Sequence, residues 1–169
     1  NTNWKNVEKA LIELNKKKLI DINKLNRINV KELAEIIKSS GYNNQKARKI
    51  KKFISFLKEK KETSRENLLG IWGIGPETAD SILLYSYKKP FFVIDAYTKR
   101  IFNRLGFKEE RYEELRELFM KNLAQDYKLF NEFHALLVKL GKDICKKEPL
   151  CQKCPLNKGC SFNRNLYKL

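Results

Sequence analysis

Apolar residues recur at three- and four-residue spacing along almost the whole chain, with charged residues filling the intervals. Trp4, Val7, Ala10, Leu11 and Leu14 share one helical face, and Trp4 at that spacing is read as core. Val30, Leu33, Ala34 and Ile37 form a second stripe, and Ala47, Ile50, Ile54 and Leu57 a third. Ala79, Ile82 and Leu83 continue the pattern, followed by Tyr97, Ile101 and Leu105. Two further stripes are Leu115, Leu118 and Phe119, then Leu129, Phe133, Leu136, Leu137 and Leu140. Breaks are expected at Gly41, at Lys61-Glu62-Thr63-Ser64, at Lys88-Lys89-Pro90, at Gly106 and at Gly141. The run Phe91 to Ile94 has only four residues and no second run to pair with, so it reads as a buried connector rather than a strand. The pattern predicts an all-α protein. Its best seam is Lys88-Lys89-Pro90, which gives helical domains at residues 1–89 and 90–169.

One stretch departs from simple periodicity. Leu68-Leu69-Gly70-Ile71-Trp72-Gly73-Ile74-Gly75-Pro76-Glu77-Thr78-Ala79 reads as a short helix, a tight turn and a second helix. Glycine lets a turn adopt positive φ and approach another chain closely. Pro76 marks a first helical position. The N–H groups that follow it face outward, an arrangement that holds phosphate without side chains. Trp72, at the tip, is expected to pack between the two helices.

Charge sharpens that reading. The 169 residues carry 36 Lys and Arg against 20 Asp and Glu, a net charge of +16. An excess of this size favours a polyanionic partner, and nucleic acid over membrane, because no long basic amphipathic helix stands out. No stretch approaches the roughly 18 apolar residues that span a bilayer, and Asn1-Thr2-Asn3-Trp4-Lys5 is no signal peptide. The four cysteines all fall between Cys145 and Cys160, which argues for one intracellular metal site rather than disulfides. Their spacing is C-x5-C-x2-C-x5-C, with a single C-x2-C pair, whereas four-cysteine zinc sites usually show two.

Asp95 closes the Phe91–Ile94 run, eighteen positions after Glu77. It is expected to cap a helix from Ala96 to Leu105. The helix dipole and backbone N–H groups favour an ionised aspartate at that place. A carboxylate so held beside a cleft can stabilise a cationic transition state or orient a water.

The hairpin core Gly73-Ile74-Gly75, the following Thr78-Ala79 and the spaced Asp95 together resemble the helix-hairpin-helix plus Gly/Pro-Asp signature of the endonuclease III superfamily of DNA glycosylases. The stretch from His134 to Cys145, with Gly141 four residues before the first cysteine, is similar to the approach to that family's iron–sulfur loop. The likeness runs from about Asn1 to Cys160. It implies a two-lobed, all-α helix-hairpin-helix glycosylase fold with a C-terminal cluster loop, a cleft between the lobes, and Asp95 as the catalytic carboxylate. Gly73, Ile74, Gly75 and Thr78 would contact DNA. Cys145, Cys151, Cys154 and Cys160 would hold a [4Fe–4S] cluster, with zinc as the alternative. The family's usual loop is C-x6-C-x2-C-x5-C, one residue longer in its first gap. The implied partner is duplex DNA containing damaged bases, bound by a monomer in the cytoplasm. Relatives carry further helical sequence before the point matching Asn1-Thr2-Asn3-Trp4, so the chain is expected to begin inside the first domain.

Glu77 stands where bifunctional members of the family carry the lysine that forms a Schiff base. A carboxylate cannot do that chemistry, so monofunctional hydrolysis is expected. Glutamate at this position, continued by Asp80-Ser81-Ile82-Leu83-Leu84-Tyr85, resembles the 3-methyladenine branch. Alkylated purines are electron-poor or cationic leaving groups, which a nearby carboxylate attracts. A first-turn acid complementing the helix dipole is the simpler reading of the same residue. The segment Tyr42 to Lys49 resembles the family's cleft-lining segment, which makes Tyr42 and Lys46 candidate substrate contacts; a solvated helix start explains it equally well. His134 beside Phe133 is read as a buried structural histidine. The alternatives to an alkylpurine enzyme are a glycosylase for uracil or thymine mismatches or an oxidised base, and a non-catalytic DNA-binding module.

Overall fold

The computed structural model describes residues 2–166, with side chains through residue 164. Asn1 and residues 167–169, the outer ends of the two expected domains, lie outside the described residues. Every regular element among the described residues is helical, and none is long and apolar enough to cross a membrane. The chain divides into two compact units, residues 1–74 and 75–169. The segment 88–90, where the sequence suggests a seam, lies inside the second unit. Leu84, just before it, shares a buried apolar cluster with Phe92, Val93 and Ile94, just after it.

The first unit contains α1 (Trp4–Lys16), α2 (Ile22–Arg27), α3 (Val30–Ile36), α4 (Asn43–Lys58) and α5 (Arg65–Leu69). Four of these helices start at a polar side chain that accepts from a first-turn N–H: Asn3, Asp21, Asn29 and Ser64. Ala10, Leu33, Ala34, Ile36, Ile37 and Ala47 make the core. Trp4 is not part of it. It is 65% exposed, and its Nε1–H donates to Glu8 at 2.7 Å. The cover on α1, from α3 and the turn at residues 38–40, buries the line through Ala10 and leaves Trp4, Leu11 and Ile12 outside. Helix α2 is too short for periodicity to reveal. Lys51 secures its end, donating to the carbonyls of Leu25, Asn26 and Ile28.

The second unit contains α6 (Pro76–Ser81), a π-helical turn (Ile82–Ser86), α7 (Ala96–Leu105), α8 (Tyr112–Asn122), α9 (Tyr127–Asp143) and α10 (Ser161–Leu166). The Phe91–Ile94 run forms no strand; Phe92, Val93 and Ile94 are buried as a connector through the core. Phe92 stacks on Phe119 with ring centroids 3.8 Å apart and meets Phe130 edge-on at 5.3 Å. On α9, Phe130 takes the interior place and Leu129 and Leu136 face out. Gly141 does not break α9. It is buried within the helix, where an added Cβ would lie 2.6 Å from the Tyr97 ring, so glycine there permits α7 and α9 to touch.

Candidate active site and cysteine-lined pocket

The hairpin begins where α5 stops. Ile74 N–H bonds back to Ile71 carbonyl at 3.0 Å, and both side chains are buried. These two residues take the interior positions, and Trp72 between them points out, 57% exposed, rather than packing inside. Gly73 has φ +88° and lies so close to the Lys49 stem that a Cβ would meet it at 2.6 Å. Gly75 is different. Its backbone is extended and a Cβ there would touch nothing, so within the protein glycine only keeps that stretch of chain bare. Pro76 opens α6, no side chain caps its first turn, and Thr78 is exposed on it.

Asp95 is the N-cap of α7, which runs from Ala96 to Leu105 as the sequence indicates. Its Oδ1 accepts from Thr98 N at 2.7 Å and from Thr98 Oγ1 at 2.9 Å. Thr98 is wholly buried, so this half of the carboxylate is held by a rigid partner. Oδ2 lies 3.8 Å from Nε2 of His134, a buried residue on α9. Nδ1 of that imidazole is hydrogen-bonded to the Tyr85 hydroxyl, which the π-helical turn presents. By sequence His134 reads as packing and Tyr85 carries no role of its own, because their distance along the chain gives no sign that they meet Asp95.

Glu77 on the first turn of α6 belongs to the same group of charges. Its side chain reaches solvent, yet partial burial, and then the Asp95 charge, raise its carboxyl above the ordinary value, with Lys99 opposing. Burial followed by Asp95 likewise raises the Tyr85 hydroxyl, so it keeps its proton. Burial lowers His134 below the usual imidazole value against the pull of Asp95. The second unit thus gathers Glu77, Tyr85, Asp95 and His134. Tyr42 and Lys46 belong to the first unit: Tyr42 caps α4 in a left-handed conformation and is 71% exposed, while the Lys46 ammonium donates to the Ser40 carbonyl.

All four cysteines line one small pocket together with Arg104, Ile144 and Phe162. Arg104 organises it. One guanidinium nitrogen lies 3.3 Å from Cys145 Sγ, the same group donates to the Lys146 and Lys147 carbonyls, and its plane covers the Phe162 ring at 4.7 Å. One turn earlier Arg100 donates to the carbonyls of Cys145 and Gly141, both at 2.9 Å. Burial and the neighbouring Cys160, Cys154 and Cys145 sulfurs push the Cys151 thiol up. Four cysteines around one pocket are a donor set suited to a thiolate-bound metal group.

Residues 1–125 match the HhH-GPD superfamily of base excision DNA repair proteins. A protein of Methanocaldococcus jannaschii named as a DNA repair glycosylase is 41% identical over 165 aligned residues, covering 89% of this chain and 75% of the relative. Endonuclease III of Thermotoga maritima is 35% identical over 156 residues, covering 87% and 70%. Among solved structures, the H. pylori 3-methyladenine DNA glycosylase MagIII bound to 1,N6-ethenoadenine superposes with a TM-score of 0.75 at 29% identity, over 84% of this chain and 79% of that one. A non-covalent endonuclease III–DNA complex gives 0.84 at 25% identity, over 96% and 78%. The chain belongs to the HhH-GPD superfamily, has the endonuclease III-like helix-hairpin-helix fold, and is a base excision repair DNA glycosylase.

Proposed function

We propose that this glycosylase is monofunctional, acts as a monomer, and hydrolyses the N-glycosidic bond of alkylated purines of the 3-methyladenine and 7-methylguanine type in duplex DNA. The observation that carries the reading is Glu77, a carboxylate set in the charge environment of Asp95 where catalysis by imine formation would need an amine. The likeness to a 3-methyladenine glycosylase supports the same branch.

In this mechanism the hairpin segment Gly73-Ile74-Gly75 and Thr78 contact the DNA backbone, with main-chain N–H groups other than that of Ile74, which stays on the Ile71 carbonyl, facing phosphate. The damaged nucleotide leaves the stack, which is easiest where its pair is already weakened. Asp95 faces the sugar. With Oδ1 fixed by Thr98, its negative charge stabilises the oxocarbenium-like centre as the base departs and water attacks the anomeric carbon. Glu77 lies beside the departing base and favours a cationic purine, and Tyr42 and Lys46 are further candidate substrate contacts. Cys145, Cys151, Cys154 and Cys160 would hold a [4Fe–4S] cluster, or zinc as the alternative. That group would supply a cross-link for the loop carrying Lys146, Lys147, Lys153 and Lys158, whose cations would meet phosphate.

The test is incubation with methylated duplex DNA and chromatography of the released bases, with Asp95→Asn in parallel. The expected result is release of 3-methyladenine or 7-methylguanine, abasic sites that stay unnicked until treated with alkali, and a rate roughly 10²–10⁴ lower for Asp95→Asn. Near-full excision by Asp95→Asn overturns the assignment of that residue. DNA binding without release would favour the binding-module reading. The kinship to endonuclease III favours as second reading a different lesion, such as an oxidised base, and release of that base instead would establish it.

A further inference from the structure

His134 is the only histidine in the chain, and it is 8% exposed. Its two nitrogens are in unlike positions. Nδ1 is bonded to the Tyr85 hydroxyl, while Nε2 is buried with no hydrogen-bond partner and faces Asp95 Oδ2 at 3.8 Å. The carboxylate is equally asymmetric: Oδ1 already accepts twice from Thr98, and Oδ2 is the oxygen turned to the imidazole. A buried nitrogen without a partner is costly, so the arrangement calls for a use.

We propose that His134 is a positioning residue for Asp95, its Nε2–H closing onto Oδ2 in the DNA complex and fixing the carboxylate against the sugar, with Tyr85 setting the tautomer. The inference rests on the reading of Asp95 as the catalytic carboxylate. In the proposed state the Tyr85 hydroxyl donates to Nδ1, and the neutral imidazole then carries its proton on Nε2. Burial keeps the ring neutral and keeps the Tyr85 proton in place, which agrees with that order. The gap of 3.8 Å is too long for a hydrogen bond. Long contacts of this kind in a free enzyme tighten when substrate fills the site. The π-helical turn, in which Tyr87 N–H bonds to the Ile82 carbonyl at 3.3 Å, belongs to the device because it presents Tyr85. The other ionisable groups of this cluster are Glu77, raised by burial and then by Asp95, and Lys99, which opposes that rise.

The experiment compares the unmodified chain with Asp95→Asn, His134→Leu, His134→Gln and Tyr85→Phe on methylated duplex, measuring single-turnover excision and DNA affinity separately. His134→Leu is expected to excise about tenfold or more slowly with affinity unchanged, the loss of one hydrogen bond to a charged group. His134→Gln, whose amide nitrogen can occupy the place of Nε2, is expected to recover most of the rate. Tyr85→Phe, at an exposed position that tolerates the change, is expected to slow excision by a smaller factor with the fold intact. A wild-type rate for His134→Leu beside an inactive Asp95→Asn overturns the inference and leaves the functional reading standing. So does failure of glutamine to rescue, or affinity falling in step with rate. Should His134→Leu not fold, an unchanged rate in Tyr85→Phe decides against the inference. Near-full excision by Asp95→Asn removes the functional reading and the inference with it. Nitrogen NMR of the lone histidine gives a readout without activity: the Nε2–H tautomer is expected at neutral pH, and the Nδ1–H tautomer overturns the inference.

Discussion

Thr98 donates twice to Oδ1 of Asp95, through its backbone N–H at 2.7 Å and its hydroxyl at 2.9 Å, and it does so from a fully buried position. A helix cap has thereby become the anchor of the candidate catalytic carboxylate. Thr98→Val keeps the volume and the backbone bond and deletes the hydroxyl bond. It is expected to cost about 1 kcal/mol, lowering the melting temperature by about 2–4 °C for a chain of this size. Excision is expected to slow several-fold, because the carboxylate gains freedom to turn. Thermal unfolding followed by circular dichroism, beside single-turnover excision, measures both.

On the proposed reading, Glu77 leaves the site without an imine-forming amine. Borohydride reduction of a reacting mixture is expected to trap no protein–DNA adduct with the native residue. Glu77→Lys places an amine beside Asp95 and is expected to give a slowly forming adduct, visible as a shifted band on a denaturing gel. Absence of that band would mean that the position alone does not create an imine-forming amine.

His134 makes stability depend on pH in a definite direction. Burial lowers its folded value below the 6.5 of a free imidazole. At pH values between the two, the unfolded chain binds the proton and the folded chain does not, so the histidine's contribution to stability is full above 6.5 and is lost as pH falls through the folded value. His134→Gln is expected to flatten this part of the curve in denaturant titrations. Asp95 opposes the downward shift, so Asp95→Asn is expected to move the histidine midpoint lower still, as read by NMR on the single imidazole.

The cysteine pocket predicts metal content. The purified chain is expected to carry visible absorbance and about four iron atoms per chain, as a [4Fe–4S] cluster requires, against one zinc for the alternative. Cys151→Ser is expected to remove most of it. Arg104→Ala leaves the ligand set in place but takes away the bonds to the Lys146 and Lys147 carbonyls, and is expected to speed cluster loss under oxygen.

Gly141 tests the contact between α7 and α9. An alanine Cβ would lie 2.6 Å from Tyr97 Cδ1 and 2.7 Å from its Cβ. Tyr97 Cβ is too near the backbone to swing aside, so Gly141→Ala is expected to destabilise by about 1–3 kcal/mol. Gly141→Ala unfolding at the same denaturant midpoint as the native chain would show that the helices separate at no cost.

Local chemistry carried much of this protein in its sequence. The 3.6-residue period marks most of the helices. Asp95 before Ala96 gives the start of α7, and Pro76 the start of α6, because caps and proline act through bonds within a few residues. Glu77, the Asp95 spacing and the four clustered cysteines were legible as candidates for the same reason: the groups are rare in type and close in sequence.

What the sequence could not determine was decided by packing between distant segments. Amphipathic spacing says that Trp4, Leu129 and Leu136 lie on apolar faces, but whether another helix covers those faces depends on contacts that no local pattern encodes. Gly141 looks like a breaker in isolation, and only the Tyr97 ring from α7 shows it to be a contact residue inside a helix. The union of Tyr85, His134 and Asp95 is of the same kind. Their places in the chain are 49 and 39 residues apart to His134, and what joins them is the packing of α9 against α7 and the π-helical turn in one unit. A side chain's type is fixed where it is encoded; which other side chain it meets is fixed only when the tertiary fold excludes water and selects its neighbours.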